Sequence, residues 1–414
     1  MRVLRSAPSA AAGAAVLGLV ALAACAAPPS VPVRSGAAAG RVAHGTPRPA
    51  SSYTLPLVTR TPGGATAPRA VPAHTTRPFS MLGVVWDDAR SPLNAVVRIR
   101  TRDRDHGRWS AWQTLRAEDH ERPGPSADKE QARGYTSPLW VGPSNGVQVV
   151  VGPPSGGTLP TGLRLALVDP GGPAAQPAVP GGPPSWLLLH HAPAAPAVKV
   201  RYTVPRPAMV GRSGWRADES LRHKAPIYSP GVRMIFIHHT DNPNGYSCSE
   251  VPEMIRAMYQ YHVTELAWDD IGYNFLVDRC GTIYEGRAGG VDRPVVGGHT
   301  MGFNIGSMGI AAIGDFRAGH PVPQPMIDAI ARLAAWKLSL AGISPTGRAV
   351  MVSQDSATRY RKGTKVVLNV ISGHRDAVYT ECPGDSLYAV LPVIRAKAAR
   401  LVADAAAHHT AAKH

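Results

Sequence analysis

Met234-Ile235-Phe236-Ile237-His238-His239-Thr240 is a short apolar run that ends in two histidines. It reads as a strand. Side chains alternate along a strand, so Met234, Phe236 and His238 share one face and Ile235, Ile237 and His239 the other. Both faces are apolar, the pattern of a strand buried on both sides at the centre of an α/β sheet. Two adjacent histidines on such a strand cannot both reach into one site. At most one of them is a candidate ligand here, and partners elsewhere in the chain must decide whether either is.

The segments around this strand alternate between helical and strand periods. Ser249 can cap a helix running to about His262, with Val251, Ile255, Met258 and His262 close to one face. Asn274–Asp278 reads as a strand that turns at Cys280-Gly281 into Thr282–Gly286, a hairpin. Ser307–Gly314 is another buried strand. A helix opens near Pro325, carries Ile327, Ile330, Ala331, Ala334, Leu338 and Ala341 on one stripe, and stops at Gly342. Val350–Val352 and Val366–Val370 look like an inserted hairpin, and a last helix runs from Pro392 to Ala403. Together these predict an α/β domain over residues 205–403, a mostly β central sheet flanked by helices, with 404–414 as a short polar tail.

Upstream, the chain changes character several times. Arg2 and Arg5 precede a small apolar run, Ala10–Ala24, and residues 1–25 read as an export signal. That run is too short and alanine-rich for a good membrane-spanning helix. Leu22-Ala23-Ala24-Cys25 resembles a bacterial lipobox, in which Cys25 is lipidated and holds the protein at the outer face of the cytoplasmic membrane. The other reading is an ordinary cleavage site with Cys25 lost. Residues 26–77, rich in Ala, Pro, Ser, Thr, Gly and Arg, read as a disordered tether. Short strands at turn-rich intervals over 78–172 predict a small all-β domain, of sandwich type. Arg98, Arg100 and Arg102 share one exposed strand face, either a stripe for anionic wall polymers or a solvated surface, and Trp109 and Trp112 read as core. Residues 173–204 return to Pro, Ala and Gly as a second linker, interrupted by Trp186–Leu189.

The 414 residues therefore divide into two domains plus linkers, and the 42 glycines and 40 prolines cluster in the latter. A net charge of +16 suits nucleic acid, anionic membranes or polyanionic wall polymers. The absence of long Lys/Arg runs and of an aromatic-rich RNA motif argues against nucleic acid.

The chemistry concentrates in Gly373-His374-Arg375-Asp376 and Thr380-Glu381-Cys382-Pro383-Gly384. Histidine and cysteine are preferred zinc ligands, and long gaps between ligands suit a catalytic site with an open position. Neither Cys-x-x-Cys nor His-Glu-x-x-His spacing is present, which excludes small zinc modules and helix-borne metalloproteases.

These motifs, with Val210–Trp215, Ile237–Thr240, Trp268–Phe275, Tyr284–Arg287 and Gly298–Asn304, resemble those of the zinc-dependent N-acetylmuramoyl-L-alanine amidases of type 2. That family includes peptidoglycan recognition proteins and a phage amidase lysozyme. The resemblance runs from about Val210 to Leu391, and the β-rich segment before it is similar to one found upstream of such amidases in exported actinobacterial proteins. It implies a Zn2+ cofactor held by His238, His374 and Cys382, with Tyr273 as the catalytic tyrosine. Thr380 sits where the phage enzyme has lysine, so a neutral hydroxyl stands in for a cation. His262 and His299 match cleft positions that contact the muramyl peptide. The implied reaction is hydrolysis, by metal-activated water, of the amide between N-acetylmuramic acid and L-alanine in peptidoglycan. The alternative is a recognition protein that binds peptidoglycan without cutting it; such relatives typically lack the cysteine. With Cys25 in the export signal and Cys382 on zinc, a disulfide between Cys248 and Cys280 is expected in an exported, extracellular or wall-associated protein.

Overall fold

Eight antiparallel strands make up the first unit: β1 Ser51–Pro56, β2 Val58–Thr59, β3 Arg69–Trp86, β4 Val96–Asp103, β5 Gln113–Leu115, β6 Gly134–Tyr135, β7 Leu139–Gly152 and β8 Arg164–Asp169. The computed structural model describes residues 49–59, 67–89, 91–115, 133–152, 158–172 and 204–411. The export signal, Cys25 and the linker with Trp186–Leu189 lie outside those residues.

The sheet runs β1-β8-β3-β7-β4-β5, with β2 and β6 pairing on β3. Its start corrects the boundary read from sequence, because β1, β2 and the first part of β3 fall inside the stretch expected to be a tether. Prolines hid them. Pro56 ends an edge strand, and Pro72 and Pro78 lie where the β3–β7 register shifts, positions that need no ladder N–H. Two stacked sheets are also not what forms. The ladder is one continuous sheet, and Leu139–Val141 and Gly146–Val151 belong to a single strand, β7.

Trp109 and Trp112 are not core residues. Trp112 is 37% exposed and Trp109 half-buried. The Arg100 guanidinium lies 5.1 Å from each ring centre and that of Arg98 5.2 Å from Trp112. Cationic side chains cover these rings in place of an apolar layer.

Strands β3 and β8 are buried on both faces. Leu82, Val84 and Trp86, with Leu165 and Leu167, point into the unit's own core. Met81, Val85, Ala166 and Val168 point the opposite way, into a cluster shared with Trp215, Met254, Met258 and Tyr261 of the second unit. Gly83 lies on that outward face, where a Cβ would overlap the Tyr261 ring and hydroxyl. The Tyr261 hydroxyl donates to the Thr136 carbonyl at 3.2 Å. Two stretches that read as separate domains thus share one apolar core.

The second unit comprises β9 Met234–His239, α1 Val251–Gln260, β10 Phe275–Val277, β11 Ile283–Glu285, β12 Ser307–Ala312, α2 Gln324–Leu340, β13 Arg348–Val352, β14 Lys365–Asn369, β15 Ile371–Gly373, α3 Asp385–Ala389 and α4 Leu391–Ala411. Its sheet has the order β11-β10-β12-β9-β15 and is parallel except for the β10–β11 hairpin. Ile235 and Ile237 pack beneath α2 and α4, against Ile330, Leu333 and Ile394. Met234 and Phe236 face Met301, Phe303 and Val378 instead. The alternation read from sequence is the one observed, with β9 at the sheet's interior. β13 and β14 form the inserted hairpin.

Two details differ from expectation. The cap before α1 is Ser247, not Ser249: its Oγ accepts from Ser249 N–H while Glu250 accepts from Ser247 N–H, a capping box on a 3-10 turn that leads into the helix. And α4 does not stop at Ala403; it runs through His408 and His409 to Ala411, because alanine, which dominates that end, has the strongest helix propensity of any residue. Cys248 and Cys280 form the expected disulfide, tying the turn before α1 to the β10–β11 hairpin. Among the described residues no helix is long and apolar enough to cross a membrane.

Candidate functional site

Parallel register brings the first two candidate ligands together. Gly373 on β15 pairs with Ile237 on β9, so His238 and His374 are the next residues of adjacent strands. Their ring centres are 4.4 Å apart. His374 opens a 3-10 turn, His374–Asp376, in which Asp376 accepts from Gly373 N–H at 2.9 Å and from the Tyr388 hydroxyl at 2.6 Å.

The loop after that turn delivers Cys382. Arg375 N–H bonds the Cys382 carbonyl, and Cys382 N–H bonds Thr380 Oγ1 at 3.1 Å. Cys382 Sγ lies 3.8 Å from His238 Nδ1 and accepts from His239 N–H at 3.4 Å. Ligand atoms of His238, His374 and Cys382 all fall within 4.8 Å of one another.

This donor set fits a metal ion of the zinc type. Donors of a tetrahedral zinc stand roughly 3.5 Å apart, close to the observed sulfur–nitrogen separation. Burial, then the neighbouring His374 and His299, hold the His238 pKa well below its usual value. The imidazole is therefore neutral at pH 7, the form that ligates metal.

His239 points the other way. Its Nδ1 accepts from Phe316 N–H at 3.2 Å, so the two histidines separate as their alternation requires.

Tyr273 is buried with its ring 5.5 Å from that of His238. A lattice of polar contacts fixes the segment that carries it. Arg212 pairs with Asp270 at 3.1 Å and with Glu219, Asp270 accepts from Ala288 N–H, and Asn274 bridges Val295 and Gly309. The motif residues around Tyr273 thus build its platform.

His262 and His299, expected together in a cleft, occupy different layers. His262 lines the small cavity beside Tyr273 and Cys382, its ring against Trp268 and its Nδ1 accepting from Gly272 N–H. His299 is fully buried behind His238, with Nδ1 3.1 Å from His238 Nε2 and 2.9 Å from Thr300 Oγ1. Its ring occupies the space where a side chain on Gly309 would stand. Burial, then Arg287, lowers both pKa values to about 3, so both rings are neutral.

Two residues of this cavity have no counterpart in the sequence reading. Ser137 and Pro138, from the first unit, line it beside His262, Tyr273 and Cys382. A polar–proline pair between strands carries no pattern that marks it as part of a site.

Comparison with known proteins matches residues 228–385 to the N-acetylmuramoyl-L-alanine amidase family and residues 38–183 to the Rv3811 N-terminal galactose-binding domain-like family. A short peptidoglycan-recognition protein of Drosophila melanogaster is 35% identical over 153 residues, 36% of this chain and 79% of that protein. The chain belongs to the family of N-acetylmuramoyl-L-alanine amidases and peptidoglycan-recognition proteins. A second Drosophila relative, peptidoglycan-recognition protein LB, is 31% identical over 44% of this chain and 66% of its own length. The N-acetylmuramoyl-L-alanine amidase of Homo sapiens is 30% identical over 45% of this chain, but the match spans only 28% of the human protein. The amidase family region covers His238, His262, Tyr273, His299, His374, Thr380 and Cys382.

Proposed function

We propose that this protein is a peptidoglycan hydrolase that cleaves the amide between N-acetylmuramic acid and L-alanine, with zinc held by His238, His374 and Cys382. The convergence of Cys382 Sγ on two buried imidazoles carries this reading. Zinc bound there would polarise the amide carbonyl and bring the pKa of a water near 7.

The remaining groups act on the substrate or on the ligands. Tyr273 is read as the donor of a hydrogen bond to the oxygen that becomes negative as the carbonyl is attacked. Thr380 uses an oxygen lone pair to hold Cys382 N–H, which leaves its own hydrogen to give as a second donor. His299 holds the His238 ring in orientation through Nδ1, and is read as a positioning residue in place of a cleft contact. His262 stays on the cavity wall as a contact for the muramyl peptide.

A second reading, recognition without cleavage, has support in the relatives, several of which bear the name of recognition proteins. Cys382 favours hydrolysis, since a binder has no use for a third metal donor. The Cys248–Cys280 disulfide suits export to an oxidising compartment. Elemental analysis of the purified protein tests the metal assignment. One zinc per chain is expected, lost on chelation together with amidase activity, and both restored by added Zn2+; a chain that binds no zinc yet cleaves muramyl peptides would refute it.

A further inference from the structure

The candidate metal site is closed. His238 and His374 are fully buried and Cys382 is 2% exposed. The cavity beside them measures about 10 Å3, room for about one water. An amide flanked by a sugar and a peptide does not fit in that space.

Part of the wall comes from the other unit. Ser137 and Pro138, between β6 and β7, line this cavity, and they also line a second one of about 140 Å3 on the seam between the units. Gln113 and Thr114 of β5 face Asp241, Asp315 and Arg317 across that second space. Ser137 and Pro138 are therefore the partition between a cavity too small for substrate and a larger one lined by amide, hydroxyl, carboxylate and guanidinium groups.

The partition is anchored on both sides. Before it, Thr136 pairs with Val84 and its carbonyl accepts from the Tyr261 hydroxyl. After it, Trp140 N–H donates to Asn242 Oδ1 at 2.6 Å, and Asn242 Nδ2 donates to the Thr240 carbonyl just beyond β9. Its position is thus tied to the end of the strand that carries His238.

We propose that Ser137 and Pro138 are specificity-determining residues: they set which substrates reach the metal site, and the seam cavity receives a polar part of the substrate, such as sugar hydroxyls. The first unit then acts as one wall of the substrate cleft and not as a separate module. This rests on the amidase reading, and the experiment keeps the two apart.

Two variants change the wall in opposite senses, Pro138→Gly to loosen it and Ser137→Trp to thicken it; thermal unfolding establishes that each is folded. The first readout needs no catalysis. In EDTA-treated protein, the rate at which iodoacetamide alkylates Cys382 is followed by peptide mass. Pro138→Gly should raise it about fivefold, the effect of losing ~1 kcal/mol from the closed arrangement, and Ser137→Trp should lower it. The second readout is the ratio of kcat/KM for cross-linked peptidoglycan to that for a soluble muramyl tripeptide, which should rise in Pro138→Gly and fall in Ser137→Trp. Equal alkylation rates in the folded proteins would overturn the proposal, and Ser137→Trp alone decides it if Pro138→Gly does not fold. A wild-type chain with no amidase activity would remove the hydrolase reading, while the alkylation rates would still show whether this wall controls access.

Discussion

Cys382 Sγ lies 3.8 Å from Nδ1 of His238, across 144 residues of chain. The neighbouring His239, one residue away, shows its Nδ1 to Phe316 N–H instead. The two histidines should therefore respond differently to removal. His238→Ala is expected to abolish metal binding and activity together. His239→Ala should retain near-stoichiometric zinc and lose about 1–2 kcal/mol of stability, the cost of a buried amide left without its acceptor. Zinc analysis and urea unfolding on both variants check this; equal zinc loss would show that the opposed facing does not hold.

Tyr273→Phe removes one hydroxyl and little packing. If that hydroxyl stabilises developing charge, kcat should fall about 100-fold or more while zinc content and KM change little. Steady-state kinetics on a soluble muramyl peptide separates the outcomes. A rise in KM with kcat unchanged would make Tyr273 a binding residue only.

Lys337 gives a pH dependence whose sign can be worked out. It is buried on α2, and its Nζ donates to the carbonyls of Val291 at 2.7 Å and Arg293 at 3.2 Å. Burial lowers its pKa from 10.5 to about 8, with Asp292 opposing the shift. Below about pH 8 both folded and unfolded chains carry the proton, and the cost of burying the charge is constant. Between about 8 and 10.5 the unfolded chain binds more protons, so this group's contribution to stability rises with pH. Comparing denaturant unfolding of wild type and Lys337→Met at about pH 7.5 and 9.5, on either side of the folded-state pKa, should show the difference moving in favour of wild type at the higher pH. A pH-independent difference would contradict the buried-ammonium account.

Gly83 and Tyr261 test whether the two units fold as one. Gly83→Val should force the Tyr261 ring away and cost about 1–3 kcal/mol. The cost should shrink in a Tyr261→Ala background, since neighbours that share one space are not additive. Unfolding should remain a single transition in every variant. Separate transitions, with Gly83→Val moving only one of them, would mean that the apolar cluster shared by Met81, Val85, Trp215 and Met258 does not couple the units.

Much of the second unit was legible in the chain because its signals are local. The β9 alternation, the Cys280-Gly281 hairpin and the helix opened near Pro325 follow from residue type and period. The first unit's docking was not. Met81-Leu82-Gly83-Val84-Val85-Trp86 is apolar on both faces, which says that something covers each, but not what; the partner, Tyr261, is 178 residues beyond Gly83. Trp109 and Trp112 failed for a related reason, since an aromatic ring can be covered by arginine as well as by aliphatic side chains. The pairing of His238 with His374 depends on the β9–β15 register, and family motifs supplied what periodicity could not. His299 matched a motif, yet its place behind His238 depends on the gap at Gly309, a feature of packing and not of spacing.

The central claim is that this arrangement cuts a specific amide, and the most direct measurement is the mass of what intact peptidoglycan releases. Wild-type protein should liberate stem peptides that begin at L-alanine, and EDTA or Cys382→Ala should stop their release. Release that persists without zinc, or none under any metal condition, would contradict the account.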